Sequence, residues 1–350
     1  MKKLFTLILV LAGFVGTVSA SETIWLRTNV GSWDENLDAW KIEGTWNQGD
    51  QQDVYEFDLP ASKIGNGDFY FRLFRNNTNF QLGPYNHTDY AYQFTDGNTE
   101  TYTATANDDF KGENGAFLIK HSEIKASQYK ISIYVKYPAG SDWIFYIKVD
   151  IVSIPATVSS TLGYSTFSCV CPVDFTDVTD VTAYRAEQTN DNKVLLKKVT
   201  GKVAARTGLV LKGTSTIIPT ASSGTSYDLT TPDGNYLMAS VNATTITPHS
   251  GTSDYYYFLS GTSSADVGFY QLENDKTYTS AAGKAYYHTP TPLTTNAARA
   301  AWIIEGEETQ GINNVESTQN ADIVYDLQGR VAKTAKAGLY IKNGKKVVMK

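Results

Sequence analysis

The sequence predicts an all-β protein: two tandem antiparallel β-sandwich or barrel domains, then a small C-terminal β meander. Three observations carry that prediction. Apolar and polar residues alternate with a period of two along many short runs, as on a half-buried strand. Turn residues separate those runs at short intervals. Glycine, threonine, serine, tyrosine and asparagine are plentiful, which suits strands and tight turns better than helices.

The first twenty residues stand apart. MKKLFTLILVLAGFVGTVSA has a positive start at Lys2 and Lys3 and an apolar run from Leu4 to Val15. Val18 and Ala20 are small residues at the −3 and −1 positions of a cleavage site. Residues 1–20 therefore read as a secretory signal peptide, cleaved after Ala20. The apolar core is shorter than the ~20 residues a membrane span needs, and no later run approaches that length. The expectation is an exported chain with no membrane span after signal cleavage. The formal net charge of −6 grows more negative once two lysines leave with the leader. That argues against nucleic acid as a partner, because phosphate binding needs a basic face.

Residues 21–155 predict the first sandwich. "TIWLRTNV" alternates. In "DVYEFDLP", Tyr55, Phe57 and Leu59 fall opposite Val54, Glu56 and Asp58. In "DFYFRLFRN", Phe69, Phe71 and Leu73 fall opposite Tyr70, Arg72 and Phe74. "YKISIYVKY" and "WIFYIKVDIVSI" are the longest runs, separated by a turn through Pro138 and Gly140. Only "LPASKI" and "IKHSEIKAS" allow a short helical turn.

Within this domain "NVGSWDENLDAWKIEGTW" is the stretch most suited to binding. It sets Trp33, Trp40 and Trp46 in a polar, turn-rich context. A large aromatic in an exposed loop is costly unless it contacts something. A sugar ring presents a C–H face for an indole and a hydroxyl rim for Asn or Arg. The candidate ligand-binding set is Trp33, Trp46, Arg75, Asn77, Asn79, Phe80 and Tyr85, with Trp33 foremost. Trp40, Trp25 and Trp143 are expected in the core. The segment resembles the starch-binding-like β-sandwich modules of Bacteroidetes surface proteins. There an opening strand leads into a Gly-x-Trp loop, here Gly31-Ser32-Trp33. A later "FYFRL" strand precedes an Asn/aromatic loop, here Phe69 to Phe80, with Phe80 where the family often has tryptophan. The resemblance implies polysaccharide as the partner.

Pro155 marks a change of texture, and residues 156–305 predict a second all-β domain. "VTAYRAEQT", "TGLVLKGTSTIIPTA", "DYYYFLSG" and "KAYYHTP" are among its short runs. It resembles a domain recurrent in Bacteroidetes surface proteins, to which no activity attaches. The two cysteines, Cys169 and Cys171, would be neighbours on one side of a strand. A buried pair of thiols is the first reading and a strained disulfide the second. Metal binding would need further ligands nearby, and none are evident.

Residues 306–320 form a polar linker, and 321–350 a terminal meander. Ile323, Tyr325 and Leu327 share one face, Leu339 and Ile341 alternate after Gly338, and Asn343-Gly344 signals a type I′ hairpin. The tail resembles the C-terminal sorting domain of the type IX secretion system of Bacteroidetes. The matching parts are Tyr325-Asp326-Leu327, the Gly329-Arg330 turn, Gly338 to Ile341 and the lysine-rich last strand. That resemblance implies the type IX secretion machinery as a partner and a secreted, outer-membrane-associated location on the cell surface.

Catalytic signatures are missing. His87, His121, His249 and His288 are scattered and form no HExxH pair. No GxSxG elbow, phosphate loop or dinucleotide fingerprint occurs, so no cofactor is expected. Asp191, Asn192, Asp233 and Asn235 match no known calcium loop. The reading is a secreted, non-catalytic surface protein that binds polysaccharide through its N-terminal sandwich. A structural or adhesive surface protein without a glycan site is the rival. A glycosidase, which needs two facing carboxylates, is the third.

Overall fold

The computed structural model describes residues 23–75, 81–82, 91–95, 97–104, 115–136, 138, 143–227, 234–296, 299–300, 302–305, 324–325, 338–342 and 345–349. In β1 (Thr23–Thr28) Ile24, Leu26 and Thr28 are buried, and Trp25 and Arg27 face the other way. The edge strands β2 (Lys41–Glu43) and β3 (Thr45–Asn47) follow, then β4 (Gln52–Pro60) and β5 (Phe69–Arg75). After them come β6 (Gln81–Leu82), β7 (Ala91–Gln93), β8 (Thr99–Ala104), β9 (Ala116–Ile119), β10 (Gln128–Lys136) and β11 (Trp143–Ala156). The two expected helical turns are present as α1 (Ala61–Ile64) and α2 (His121–Ile124).

These strands build two facing sheets. The first has the order β2-β1-β5-β9-β7 with β6 beside β5, and only β7–β9 is parallel. The second contains β11-β10-β4-β3 with β8 beside β11. The expected alternation holds: Phe69, Phe71 and Leu73 meet Tyr55, Phe57 and Leu59 in one core. The 3₁₀ turn Asp38–Trp40 drops Trp40 into that core, 6% exposed. Its ring lies 5.5 Å from both Phe57 and Phe69. Phe71 extends the file towards Phe94 and Phe117. Trp25 departs from expectation. The parity that buries Ile24 and Leu26 turns it outward, where it is half-buried and pairs across to Phe74. The side chain of Trp143 lies outside the described residues.

The middle of the chain continues this body. Its first strands are β12 (Tyr164–Phe167), β13 (Val173–Asp174), β14 (Val181–Gln188), β15 (Val194–Val199), β16 (Lys202–Val203), β17 (Leu209–Gly213) and β18 (Thr216–Pro219). Then come β19 (Leu237–Ser240), β20 (Thr244–Ile246), β21 (Tyr255–Ser260), β22 (Gly268–Gln271) and β23 (Tyr278–Ser280). The last are β24 (Lys284–Thr289), β25 (Thr295–Asn296), β26 (Arg299–Ala300) and β27 (Trp302–Ile304). A third sheet runs β12-β17-β14-β15-β27, and a fourth β19-β24-β21-β22-β26-β25. The third sheet is buried on both faces. Leu209 and Leu211 join the core of the first sandwich, while Val210 between them joins a second core with Tyr257, Phe269 and Tyr287.

The boundary expected after Pro155 falls inside β11. That strand runs on to Ala156, and β18 pairs with it from Ser153 to Ala156. Pro155 lies past the last β10 partner, at Ser153, where β11 is paired on one side only and a missing N–H is tolerated. Residues up to Glu305 accordingly form one compact unit. Cys169 and Cys171 lie just past the end of β12 as two buried cysteines with no disulfide between them. Cys169 Sγ donates to the Cys171 carbonyl oxygen at 2.9 Å.

Residues 306–350 form a second unit. Its described part is a three-stranded antiparallel meander of β28 (Val324–Tyr325), β29 (Gly338–Lys342) and β30 (Lys345–Met349). Lys342 pairs with Lys345; Asn343 and Gly344, where the sequence predicts the turn, lie outside the described residues. Among the described residues no helix is long and apolar enough to cross a membrane.

One buried polar pair links the core to pH. His121 is 7% exposed, and its Nδ1 lies 2.9 Å from the hydroxyl of Tyr129, itself fully buried. Burial pushes the His121 pKa down, partly opposed by the charge of Asp68, and pushes Tyr129 up. The unfolded chain therefore takes up a proton on this histidine at higher pH than the native one does. The contribution of His121 to stability is complete above the unfolded value of about 6.5 and is lost as pH falls through the lower native value. We predict that the urea midpoint falls between about pH 7.5 and pH 5, and that His121→Gln flattens that slope. An identical slope in the variant would contradict the assignment.

Candidate functional site

The loop after β1 is tied down at every turn. Thr28 N donates to the Ser32 carbonyl at 3.1 Å, and the Thr28 hydroxyl accepts from Gly31 N at 2.8 Å. Ser32 Oγ accepts from the backbone N–H groups of Asp34 and Glu35 at 3.2 and 3.1 Å. Asn29 clamps the loop to the start of β5: its Nδ2 donates to the Asp68 carbonyl, and its Oδ1 accepts from Tyr70 N, each at 2.9 Å. Gly31 passes so close to the buried indole of Trp40 that a Cβ would lie 2.6 Å from its Nε1. The loop is thus seated on the core from below and stitched to β5 from the side.

On this support Trp33 stands 37% exposed, and Val30 in the same loop is 40% exposed. Arg27 donates from NH1 to the Trp33 carbonyl at 3.2 Å and from Nε to Asn36 Oδ1 at 2.9 Å. Its guanidinium covers the ring of Phe74 at 3.6 Å. Directly opposite Arg27 in the β1–β5 register is Arg72, whose guanidinium lies 5.1 Å from the Trp33 ring centre. Arg72 Nε is buried without a hydrogen-bond partner among the described residues. Burial draws the pKa of Arg72 down. It does the same to Arg27, where the charge of Asp34 pulls the other way; arginine nevertheless stays charged at neutral pH. The outer face of the first sheet therefore carries an aromatic platform with two guanidinium groups beside it. That arrangement stacks on the apolar face of a ring and donates hydrogen bonds to its rim.

The residues expected from sequence are only partly brought together. Trp33 sits on this platform. Trp46 lies on β3, at the edge of the second sheet, half-buried with its Nε1 bonded to Gln48 Oε1 at 3.0 Å. No contact among the described residues joins it to Trp33. Arg75 ends β5 opposite Ile24, and its side chain lies outside the described residues, as do Asn77, Asn79, Phe80 and Tyr85. Asp34 and Glu35 are exposed loop residues. Arg27, Arg72 and Phe74 were absent from the expected set. Their signal was available in the period-two pattern, since they share the parity of Trp25 and Tyr70, opposite to the core residues.

Other features are occupied elsewhere. The outer face of the fourth sheet holds Tyr256, Phe258, Tyr286 and His288, but these rings cover one another. Tyr256 stacks on His288 at 4.6 Å, and Phe258 meets Tyr278 edge-on at 6.1 Å. Asp191 is bonded to Thr189 and Lys193. Asn235 is a buried bracket that accepts from Ala186 N and Leu237 N and donates to the Gly208 carbonyl. Asp233 lies outside the described residues. Among the described residues no cluster of three metal-ligating side chains occurs. Comparison with protein-family models, with curated proteins and with solved structures returned no match.

Gly31→Ala should cost about 1–3 kcal/mol of stability, because the methyl group must displace either Trp40 or the loop. It should also raise acrylamide quenching of the tryptophan fluorescence as the loop lifts. A variant of unchanged stability and quenching would show that the loop is not held as described.

Proposed function

We propose that the protein is an exported, non-catalytic surface protein that binds polysaccharide through the outer face of its first β-sheet. One observation carries the reading: an exposed indole, Trp33, is held in a loop pinned on both sides and flanked by the guanidinium of Arg72. A platform fixed before the ligand arrives loses little entropy on binding. Its flat apolar surface suits the C–H face of a pyranose, and the half-buried Trp25 lies on the same sheet face.

Affinity electrophoresis through gels containing starch, xylan, polygalacturonate or mucin tests this. Trp33→Ala should weaken retention on the retarding glycan by about ten-fold or more, equivalent to ~1.4 kcal/mol, with an unchanged unfolding midpoint. Unchanged retention in the variant, or no retardation of the wild type by any glycan, would end the proposal.

The export half rests on the leader and on the tail meander, whose outer strands have no further partner among the described residues and suit pairing with a receptor strand. Deleting residues 321–350 should leave the passenger in the periplasm of an organism with type IX secretion. Normal surface display without the tail would refute that part alone.

A further inference from the structure

The two arginines beside Trp33 narrow the kind of sugar the platform would take. Arg27 and Arg72 are cross-strand neighbours, so their side chains leave the sheet roughly 5 Å apart. Like charges placed directly opposite destabilise a sheet, and partly buried charges need partners. Among the described residues neither guanidinium has a carboxylate within ion-pair distance. Lys41, on the neighbouring strand, is paired with Glu43 at 2.8 Å and does not share this condition. Arg27 is steadied by two neutral oxygens, the ring of Phe74 and the more distant charge of Asp34. Arg72 has even less: the Trp33 ring beside it and, among the described residues, no hydrogen bond at its buried Nε. A protein of net charge −6 thus gathers two guanidinium groups, neither in an ion pair among the described residues, against the most exposed indole described.

Resting on the glycan-binding reading above, we propose that the ligand is an acidic polysaccharide. The sugar ring stacks on Trp33, while its anionic substituent, a uronate carboxylate or a sulfate ester, lies against Arg72 and Arg27. A planar guanidinium matches either group with two parallel hydrogen bonds, which an ammonium does not. The anion also relieves the repulsion between the two arginines. Selectivity follows from the same geometry: a neutral sugar offers Arg72 only hydroxyl oxygens, whereas an acidic one offers a charged group with two oxygens for the guanidinium fork.

The test uses the full chain. Retention is measured in gels of polygalacturonate, of the same polymer fully methyl-esterified, of carrageenan, which carries sulfate alone, and of starch. Polygalacturonate or carrageenan should retard the protein at least ten-fold more strongly than the esterified polymer and starch, and the difference should shrink as salt rises. Whichever of the two retards more identifies the anion. Arg72→Gln should abolish the preference without changing the circular dichroism spectrum. Arg72→Lys, which keeps the charge and loses the fork, should restore only part of it. Trp33→Ala should weaken every glycan alike. Equal retention by esterified and acidic polymers, or a preference that survives Arg72→Gln, overturns the acidic-ligand proposal and leaves polysaccharide binding standing. Failure of all four polymers to retard the wild type overturns both.

Discussion

The file of rings formed by Phe57, Trp40, Phe69 and Phe71 is the interaction on which the first sandwich depends. Each fully buried side chain of this size contributes roughly 1.5–3 kcal/mol through lost apolar exposure. Each well-placed ring pair adds about 0.5–1.5 kcal/mol. The file also fixes direction. Because a strand alternates, seating Phe69, Phe71 and Leu73 inward obliges Tyr70, Arg72 and Phe74 to point outward. Trp40 meanwhile serves as the floor on which Gly31 rests. Core packing therefore places both halves of the candidate site: Arg72 through the strand and Trp33 through the loop.

Electrostatics on that outer face run against local stability. Two guanidinium groups face each other across the ladder, and among the described residues they meet rings, neutral oxygens and the charge of Asp34. Such a cost is sustainable because it is small against the core beneath it. The loop that carries Trp33 is held by hydrogen bonds to its own turn and to the start of β5.

The middle of the chain serves a different purpose in the same body. β18 lengthens the second sheet of the sandwich, and Ile218 on it is fully buried. The third sheet packs on both sides, one face towards the sandwich and the other towards the fourth sheet. The tyrosine-rich outer face of the fourth sheet, with rings already paired to rings, fits a wall better than a platform.

What the sequence by itself determined is local and periodic. The strands of the sandwich, the inward parity of Tyr55, Phe57, Phe69 and Phe71, the two helical turns and the pairing of the last two strands all follow from rules acting over a few residues. The burial of Trp40 and the exposure of Trp33 were legible too, because one precedes a strand and the other sits among turn residues. Tertiary structure decided the rest. Trp46 lies on the other sheet from Trp33, and spacing along a chain says nothing about which sheet a strand joins. Arg27 and Arg72 are 45 positions apart, and only the β1–β5 register sets them face to face. Pro155 looked like a boundary, yet a strand end paired on one side tolerates proline and a distant strand can still dock there. Pairing partners are chosen by the global packing of faces, and that choice turned separate aromatic and basic residues into one surface.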